Sequence, residues 1–407
     1  MGCNQRSWLA ALARAKGGDS GPVHGLPSTW IPGGEACLTF PAPRREDPGA
    51  VLDRWLDAVR AKGAKSAATW TLSAEGTPGL GPRLVARGFE IGWQAHWMGI
   101  DTHALAGVPP PPGVTIAEEE DGIAVPDLPY RNEADTAASA RLVSCPSGAT
   151  RRWVARAQGR TIGQVVSHLR PDRPGVVGIY NMGVVPDWRR RGVARGLLAA
   201  LLRVHEAEGR RWAVLNSAAS TFYQRLGFRD GGRGRTFWCH PPVFGAGPVP
   251  VPMVRYGEAI GLGDLRSLNA LASDGLVPAN PDAPLPGGTI PLDLAVHYCR
   301  AAAVDWLEAR DAVVTATHAW ALGGPARTAD LLRRYPDRRE RREGPFGATP
   351  LHRAVEDDDL PRVRFLLDHG ADTGCRDARF GSTPLGWAKH LGREAIAACL
   401  VAAGAPP

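Results

Sequence analysis

The sequence predicts a multidomain chain in which α/β segments precede an all-α array of repeats. Three observations predict it. Val176 to Val185 is an apolar, β-branched run, and after a polar turn Leu197, Leu198, Leu201 and Leu202 recur at helical spacing. Gly347-Ala-Thr-Pro-Leu-His-Arg-Ala354 recurs as Gly381-Ser-Thr-Pro-Leu-Gly-Trp-Ala388, 34 residues later. Two stretches dense in proline, 108–112 and 241–252, read as linkers between the parts. The expected division is therefore 1–107, 113–240 and 253–407, with those linkers between.

The first part is mixed. Trp8 to Ala15 is a short amphipathic stretch. Val51 to Lys62 is a helix with Val51, Leu52, Trp55, Leu56 and Val59 on one face. Ser66 to Leu72 reads as a strand, Pro82 to Arg87 as a helix, and Glu90 to Ile100 as a further strand. The four prolines of Val108 to Gly113 favour an extended spacer.

Beyond it, Val114 to Ala117 suits a first strand, and Ile123 to Leu142 is helical but interrupted by Pro126 and Pro129. Trp153 to Gln158 and Ile162 to Leu169 form a hairpin turning at Gly159-Arg160. The Val176–Val185 strand and its helix follow. Trp212 to Asn216 is the next strand, Ser220 to Leu226 a short helix, and Thr236 to Cys239 closes the set. Strands joined by helical crossovers make an α/β order.

Composition is that of a globular protein, 44% hydrophobic and 22% charged over 407 residues. The net charge of +7 rests on arginine, since lysine occurs only at 16, 62, 65 and 389. The arginines are spread along the chain, not gathered into one basic patch, which disfavours nucleic acid as a partner. Seven cysteines at wide spacing, with no C-x-x-C, predict neither a disulfide framework nor a metal site. A reducing cytoplasm is the expected home. No apolar run reaches the ~18 residues of a membrane span. Met1-Gly2 opens like a myristoylation signal, but Arg6 stands where Ser or Thr is wanted.

The turn between the pivotal strand and its helix is Arg189-Arg190-Arg191-Gly192-Val193-Ala194. Small residues let the main chain approach a ligand, and a helix start offers unpaired N–H groups to phosphate oxygens. Arginines beside it add fork-shaped donors. This stretch, after Val184-Val185-Pro186, resembles the acetyl-CoA motif of the GNAT acetyltransferase superfamily. Asn216-x-x-Ala219-x-x-x-Tyr223-x-x-x-Gly227-Phe228 resembles the second motif of that family. The resemblance covers roughly 113–240. Leu84-x-x-x-Gly88-Phe89 echoes the second motif. Residues ~30–105 therefore read either as a diverged half of a tandem GNAT pair that has lost its cofactor loop, or as an unrelated α/β segment.

The resemblance implies acetyl-CoA as co-substrate and a direct attack by an amine, with no metal. The pyrophosphate would be held by the amides of Arg190, Gly192, Val193 and Ala194, with charge from Arg189 and Arg195. Met182 and Val184 would pair with the pantetheine arm, Asn216 would hydrogen-bond it, and Tyr223 would protonate the leaving thiolate. No general base can be assigned: Tyr180 and Asn181 are poor bases at neutral pH, and His168 is a candidate by its ordinary pKa. Glu118-Glu119-Glu120-Asp121 reads as a solvated face.

The repeats after residue 253 resemble ankyrin repeats, whose period is about 33. Val363 to Asp372 is similar to an ankyrin second helix and exit turn. Gly288 to Leu307, Tyr256 to Asp282 and Thr317 to Pro336 are weaker copies, giving four or five repeats in an all-α solenoid. Such a surface suits a protein partner or protein substrate. The basic run Arg333 to Arg342 reads as an exposed helix end. The function expected is an N-acetyltransferase acting on a small-molecule or protein amine. The alternative is a non-catalytic scaffold whose ankyrin-like surface carries the function.

Overall fold

The computed structural model describes residues 2–41, 47–73, 79–119, 133–145, 148–170, 172, 175–217, 219–344 and 346–406. The chain divides into two compact units, 1–81 with 91–248 and 82–90 with 249–407.

The first unit opens with helix α1 (Gly2–Ala15), strands β1 (Asp19–Val23), β2 (Leu26–Trp30) and β3 (Glu35–Thr39), helix α2 (Pro48–Ala61) and strand β4 (Ser66–Trp70). Helix α3 (Leu80–Ala86) runs into the second unit, and the short strand β5 (Glu90–Ile91) returns from it. There follow β6 (His96–Asp101), β7 (Thr115–Glu118), α4 (Glu133–Val143), β8 (Thr150–Ala157), β9 (Arg160–Leu169) and β10 (Val176–Val184). The unit ends with α5 (Val193–Ala207), β11 (Trp212–Ser217), α6 (Ser220–Arg225), β12 (Arg229–Arg233), β13 (Thr236–Cys239) and α7 (Pro241–Gly245).

These strands build two sheets, ordered β1-β2-β3-β4-β13-β5 and β12-β6-β11-β10-β9-β8-β7. Two expectations are corrected here. The run 90–100 is not one strand: it breaks at Gly92, and β5 and β6 enter different sheets. Nor does Thr236–Cys239 close the second sheet. It runs antiparallel to β4 in the first, with Thr236 opposite Trp70 and Cys239 opposite Ala67. In return β6 lies between β12 and β11. The crossing point needs glycine: a Cβ on Gly234 would lie 2.0 Å from Thr71 O and 2.6 Å from Trp97 Nε1.

The second sheet is held by α5. Val193, Leu197, Leu198, Leu201 and Leu202 are all buried and pack on Val165, Val177, Ile179, Ala213 and Leu215. Burying each such aliphatic side chain stabilises by about 1.5–3 kcal/mol. In the first half α2 buries Val51, Leu52, Trp55, Leu56 and Val59, the face the periodicity predicts. The β8–β9 hairpin turns through Gln158 and Gly159, both at positive φ, as a tight two-residue turn requires. The segment after Val108 is tethered to α5 although Pro109, Pro110 and Pro112 are exposed. A Cβ on Gly196 of α5 would sit 3.2 Å from Pro111 Cδ, and Val108 O accepts from Arg203 at 3.2 Å. Prolines 126 and 129 of the expected broken helix lie outside the described residues.

The second unit is helical: α8 (Val251–Leu262), α9 (Leu265–Ser273), α10 (Pro291–His297), α11 (Ala301–Glu308), α12 (Ala316–Arg334), α13 (Pro350–Glu356), α14 (Leu360–Asp368), α15 (Pro384–His390) and α16 (Glu394–Ala402). The stretch 241–252 is thus largely helix, because proline is well placed in a first helical turn. Helix α12 is itself two helices meeting at Gly323 and Gly324, with Pro325 starting the second. The α3 segment packs here. Leu84, Val85 and Phe89 are buried, and Arg87 pairs with Glu258 at 2.5 Å.

Threonine before proline works as a repeat cap. Thr349 and His352 bond each other reciprocally, and His352 Nε2 reaches Ser382 O in the next repeat at 3.0 Å. The same box joins Thr315 and His318. Thr349→Ala is expected to cost about 1 kcal/mol, read as a lower urea midpoint at unchanged slope. Three arginines of the basic run donate to carbonyls. Arg338 donates to Val314 O at 2.6 Å, Arg339 to His369 O at 2.7 Å, and Arg342 to Arg376 O at 2.7 Å. Only its start, Arg333 and Arg334, fits the expected exposed helix end, and there both pair with Asp330.

Candidate active site

Strands β10 and β11 run parallel but pair only from Val176–Gly178 against Trp212–Val214, and part beyond that. On its other edge β10 carries a bulge. Tyr180 faces Val166 and Gly183 faces Gln164, so Asn181 and Met182 together oppose one residue of β9. Asn181 takes φ +48°, a conformation asparagine tolerates better than most residues. The bulge bends the strand away from β11 and leaves main-chain groups of its far end without a ladder partner on that side. Gly178 is needed beside it, because a Cβ there would lie 2.6 Å from the Tyr180 ring.

The opening leads to the predicted turn. Pro186–Trp188 is a single 3-10 turn, Arg190 sits at φ +60° and Gly192 at φ +83°. Gly192 caps α5 with no side chain over the helix end, and the first in-helix main-chain bond is Gly196 N–H to Gly192 O. The amides of Val193, Ala194 and Arg195 thus precede the helix ladder. Arg189, Arg190, Arg191, Gly192 and Arg195 are exposed, while the Val193 side chain is buried and anchors the turn. Arg189 Nε donates to Val184 O at 3.1 Å, so that carbonyl is already engaged. A left-handed, non-glycine Arg190 costs on the order of 1–3 kcal/mol, the kind of strain that collects at ligand sites.

Tyr223 lies across the opening. Its hydroxyl is 4.0 Å from Met182 Sδ, and its ring packs edge-on to Phe222 and Phe228. Asn216 stands at the end of β11, but its side chain turns to helix α1: Nδ2 donates to Gln5 Oε1 at 3.2 Å. Trp8 of α1 stacks on Tyr180, centroids 4.5 Å apart. Between them is a crevice of about 10 Å³, lined by Gln5, Trp97, Tyr180 and Asn216.

His168 does not serve as a free base. Its Nδ1 lies 2.9 Å from Thr150 Oγ1 and its Nε2 3.0 Å from Ser7 Oγ. Burial, with the charge of Arg14 second, pulls its pKa down to about 4. Burial pushes the Tyr180 phenol far above its usual range. Glu118 is bound to Arg151 and Glu119 to Arg156, each by two hydrogen bonds. Glu120 and Asp121 lie outside the described residues.

The first half lacks this opening. Strands β3 and β4 stay paired from Glu35–Ser66 to Thr39–Trp70, and Phe40 N–H extends the contact to Trp70 O at 2.8 Å. The helix after it, α2, starts with Pro48, which has no N–H, and Asp47 accepts from Gly49 N–H at 3.1 Å. A carboxylate over a helix start repels phosphate.

Sequence reasoning missed the bulge and the part played by α1. Asparagine in Tyr180-Asn181-Met182-Gly183 is a faint signal for the first. Nothing in the sequence marks Gln5, and Trp8 shows only as the start of an amphipathic stretch.

A family model for the acetyltransferase (GNAT) domain matches residues 149–230, and one for the ankyrin repeat matches 346–378. The chain therefore carries a GNAT acetyltransferase domain followed by a helical region that contains an ankyrin repeat. Similar solved structures include a GCN5-related N-acetyltransferase from Kribbella flavida, 19% identical, covering 58% of this chain and 93% of its own, TM-score 0.41. A tandem GNAT protein from the clavulanic acid biosynthesis pathway is 17% identical over 52% of this chain and 77% of its own, TM-score 0.42. A GCN5-related N-acetyltransferase from Sphaerobacter thermophilus is 16% identical over 54% and 75%, TM-score 0.37.

Proposed function

We propose that this chain is an acetyl-CoA-dependent N-acetyltransferase whose working site lies wholly in its second sheet. One observation carries the reading: the parting of β10 from β11 continues into a helix start that has glycine as its cap and arginines around it. Main-chain amides at Gly192 to Arg195 would hold the pyrophosphate, with Arg189, Arg190 and Arg195 supplying charge. A helix dipole contributes only about 0.3–1 kcal/mol on an exposed end, so several N–H bonds share the work. The unpaired edge of β10 around Met182 suits the amide groups of the pantetheine arm, as an added strand would. Tyr223 would give its hydroxyl proton to the departing thiolate. The acceptor is an amine of a small molecule or a protein, attacking directly. The first half, with its strands zipped and its helix start capped by Asp47, supports the second and holds no cofactor. The ankyrin-like helices bind a partner or a protein substrate, in the cytoplasm.

The scaffold reading keeps one observation in its favour: the imidazole beside Tyr180, that of His168, is engaged on both nitrogens and is not free to act as a base. Calorimetry with acetyl-CoA decides. Micromolar binding, weakened about 10- to 100-fold by Gly192→Glu, is expected for the enzyme. The absence of binding by the wild-type chain establishes the scaffold instead.

A further inference from the structure

We infer that Gln5, in the N-terminal helix α1, is a positioning residue for Asn216 and so for the cofactor arm. The inference rests on the reading of Asn216 as a cofactor contact.

Gln5 is only 5% exposed, and so are its neighbours Asn4 at 3% and Trp8 at 5%. Burying an amide costs free energy unless it is hydrogen-bonded. The crevice beside it is lined by Trp97, Tyr180, Val214 and Leu215, surroundings in which an apolar side chain is the ordinary occupant. The amide has a partner that makes it useful. Its Oε1 accepts a hydrogen bond from Asn216 Nδ2 at 3.2 Å. An asparagine amide presents donors on one side and an acceptor on the other. With its nitrogen claimed by Gln5, Asn216 keeps its oxygen as the end it can offer to another donor, such as an amide N–H of the pantetheine arm. Without Gln5 the group is free to turn over and present the wrong face.

The rest of α1 holds Gln5 in register. Asn4 Nδ2 donates to Val176 O at 3.2 Å, Ser7 Oγ meets His168 Nε2 at 3.0 Å, and Trp8 stacks on Tyr180 with rings inclined by 14°. These contacts all fall on strands of the second sheet, although α1 belongs in sequence to the first half. The site in the second half is thereby completed by a helix that precedes the first.

The test is acetyl-CoA calorimetry on the full chain, with thermal melts as the check on folding. Gln5→Met removes the acceptor and is expected to weaken binding roughly 3- to 10-fold, the range of one net hydrogen bond. Gln5→Glu keeps an acceptor oxygen and is expected to stay within about twofold of wild type. In an Asn216→Ala background Gln5→Met should add nothing further. Should Gln5→Met fail to fold, Gln5→Lys takes its place, since it offers donors only and should weaken binding similarly. Unchanged affinity in Gln5→Met, or an equal loss with and without Asn216, overturns the inference while leaving the acetyl-CoA reading intact. A wild-type chain that binds no acetyl-CoA overturns both.

Discussion

Tyr223→Phe is expected to lower kcat by about 10²- to 10⁴-fold while leaving acetyl-CoA affinity within about twofold, once an amine acceptor is in hand. The ring of Tyr223 is fixed by its neighbours, with Phe222 and Phe228 edge-on at 5.0 and 5.3 Å. Phenylalanine keeps that packing. What it removes is the hydroxyl, which stands 4.0 Å from Met182 Sδ, at the bulge where the strands part. In the proposed role a proton donor there would act on the leaving sulfur and not on binding, so the loss would belong in kcat. An unchanged kcat would remove Tyr223 from the mechanism and make it a packing residue.

A second large effect concerns stability in mild acid. Two histidines of the first unit are buried without charge. Burial, then the charges of Arg210 and Arg151, lowers the His205 pKa to about 3, and burial with Arg14 lowers that of His168 to about 4. In the unfolded chain both titrate near 6.5. Between those values the unfolded state binds protons that the folded state refuses, so stability rises with pH. The stabilisation is complete above about pH 6.5. It drains away as pH falls, down to about 4 for His168 and about 3 for His205. At about 1.4 kcal/mol per pH unit for each group, the pair loses roughly 3–4 kcal/mol by pH 5. Melting temperatures taken from pH 7 to pH 5 should fall accordingly, and less steeply in His168→Asn, which stays neutral throughout. A flat profile over that range would mean that the two imidazoles are not held neutral inside the fold.

How far the fold was legible depends on where its determinants lie. The β10–α5 unit is written locally, in a β-branched run, a glycine turn and leucines at helical spacing, and the structure places each where expected. The Thr-Pro-Leu caps of α13 and α15 are equally local. Strand partners are not. Thr236–Cys239 and the run Glu90–Ile100 read as strands from composition, yet where the second one breaks and which sheet each joins is decided by close approaches such as that of Gly234 to Thr71. Candidate site residues divide the same way. The turn from Arg189 to Arg195 announces itself by motif. Gln5 reaches Asn216 across 211 positions of sequence, and no period or spacing encodes such a meeting. The basic run 333–342 was legible only in part. Arg333 and Arg334 end their helix exposed, as expected, but Arg338, Arg339 and Arg342 answer carbonyls in distant loops, a demand that exists only once the helices have stacked.

The loan of β6 to one sheet and β13 to the other has an outcome for any attempt to dissect the chain. A cut at residue 108 would take a strand from between β11 and β12 of the second sheet and leave the first without β13, one of the two neighbours of β4. Each piece would then expose raw edges to aggregation. The half that matches the GNAT model is therefore expected not to fold as an autonomous module.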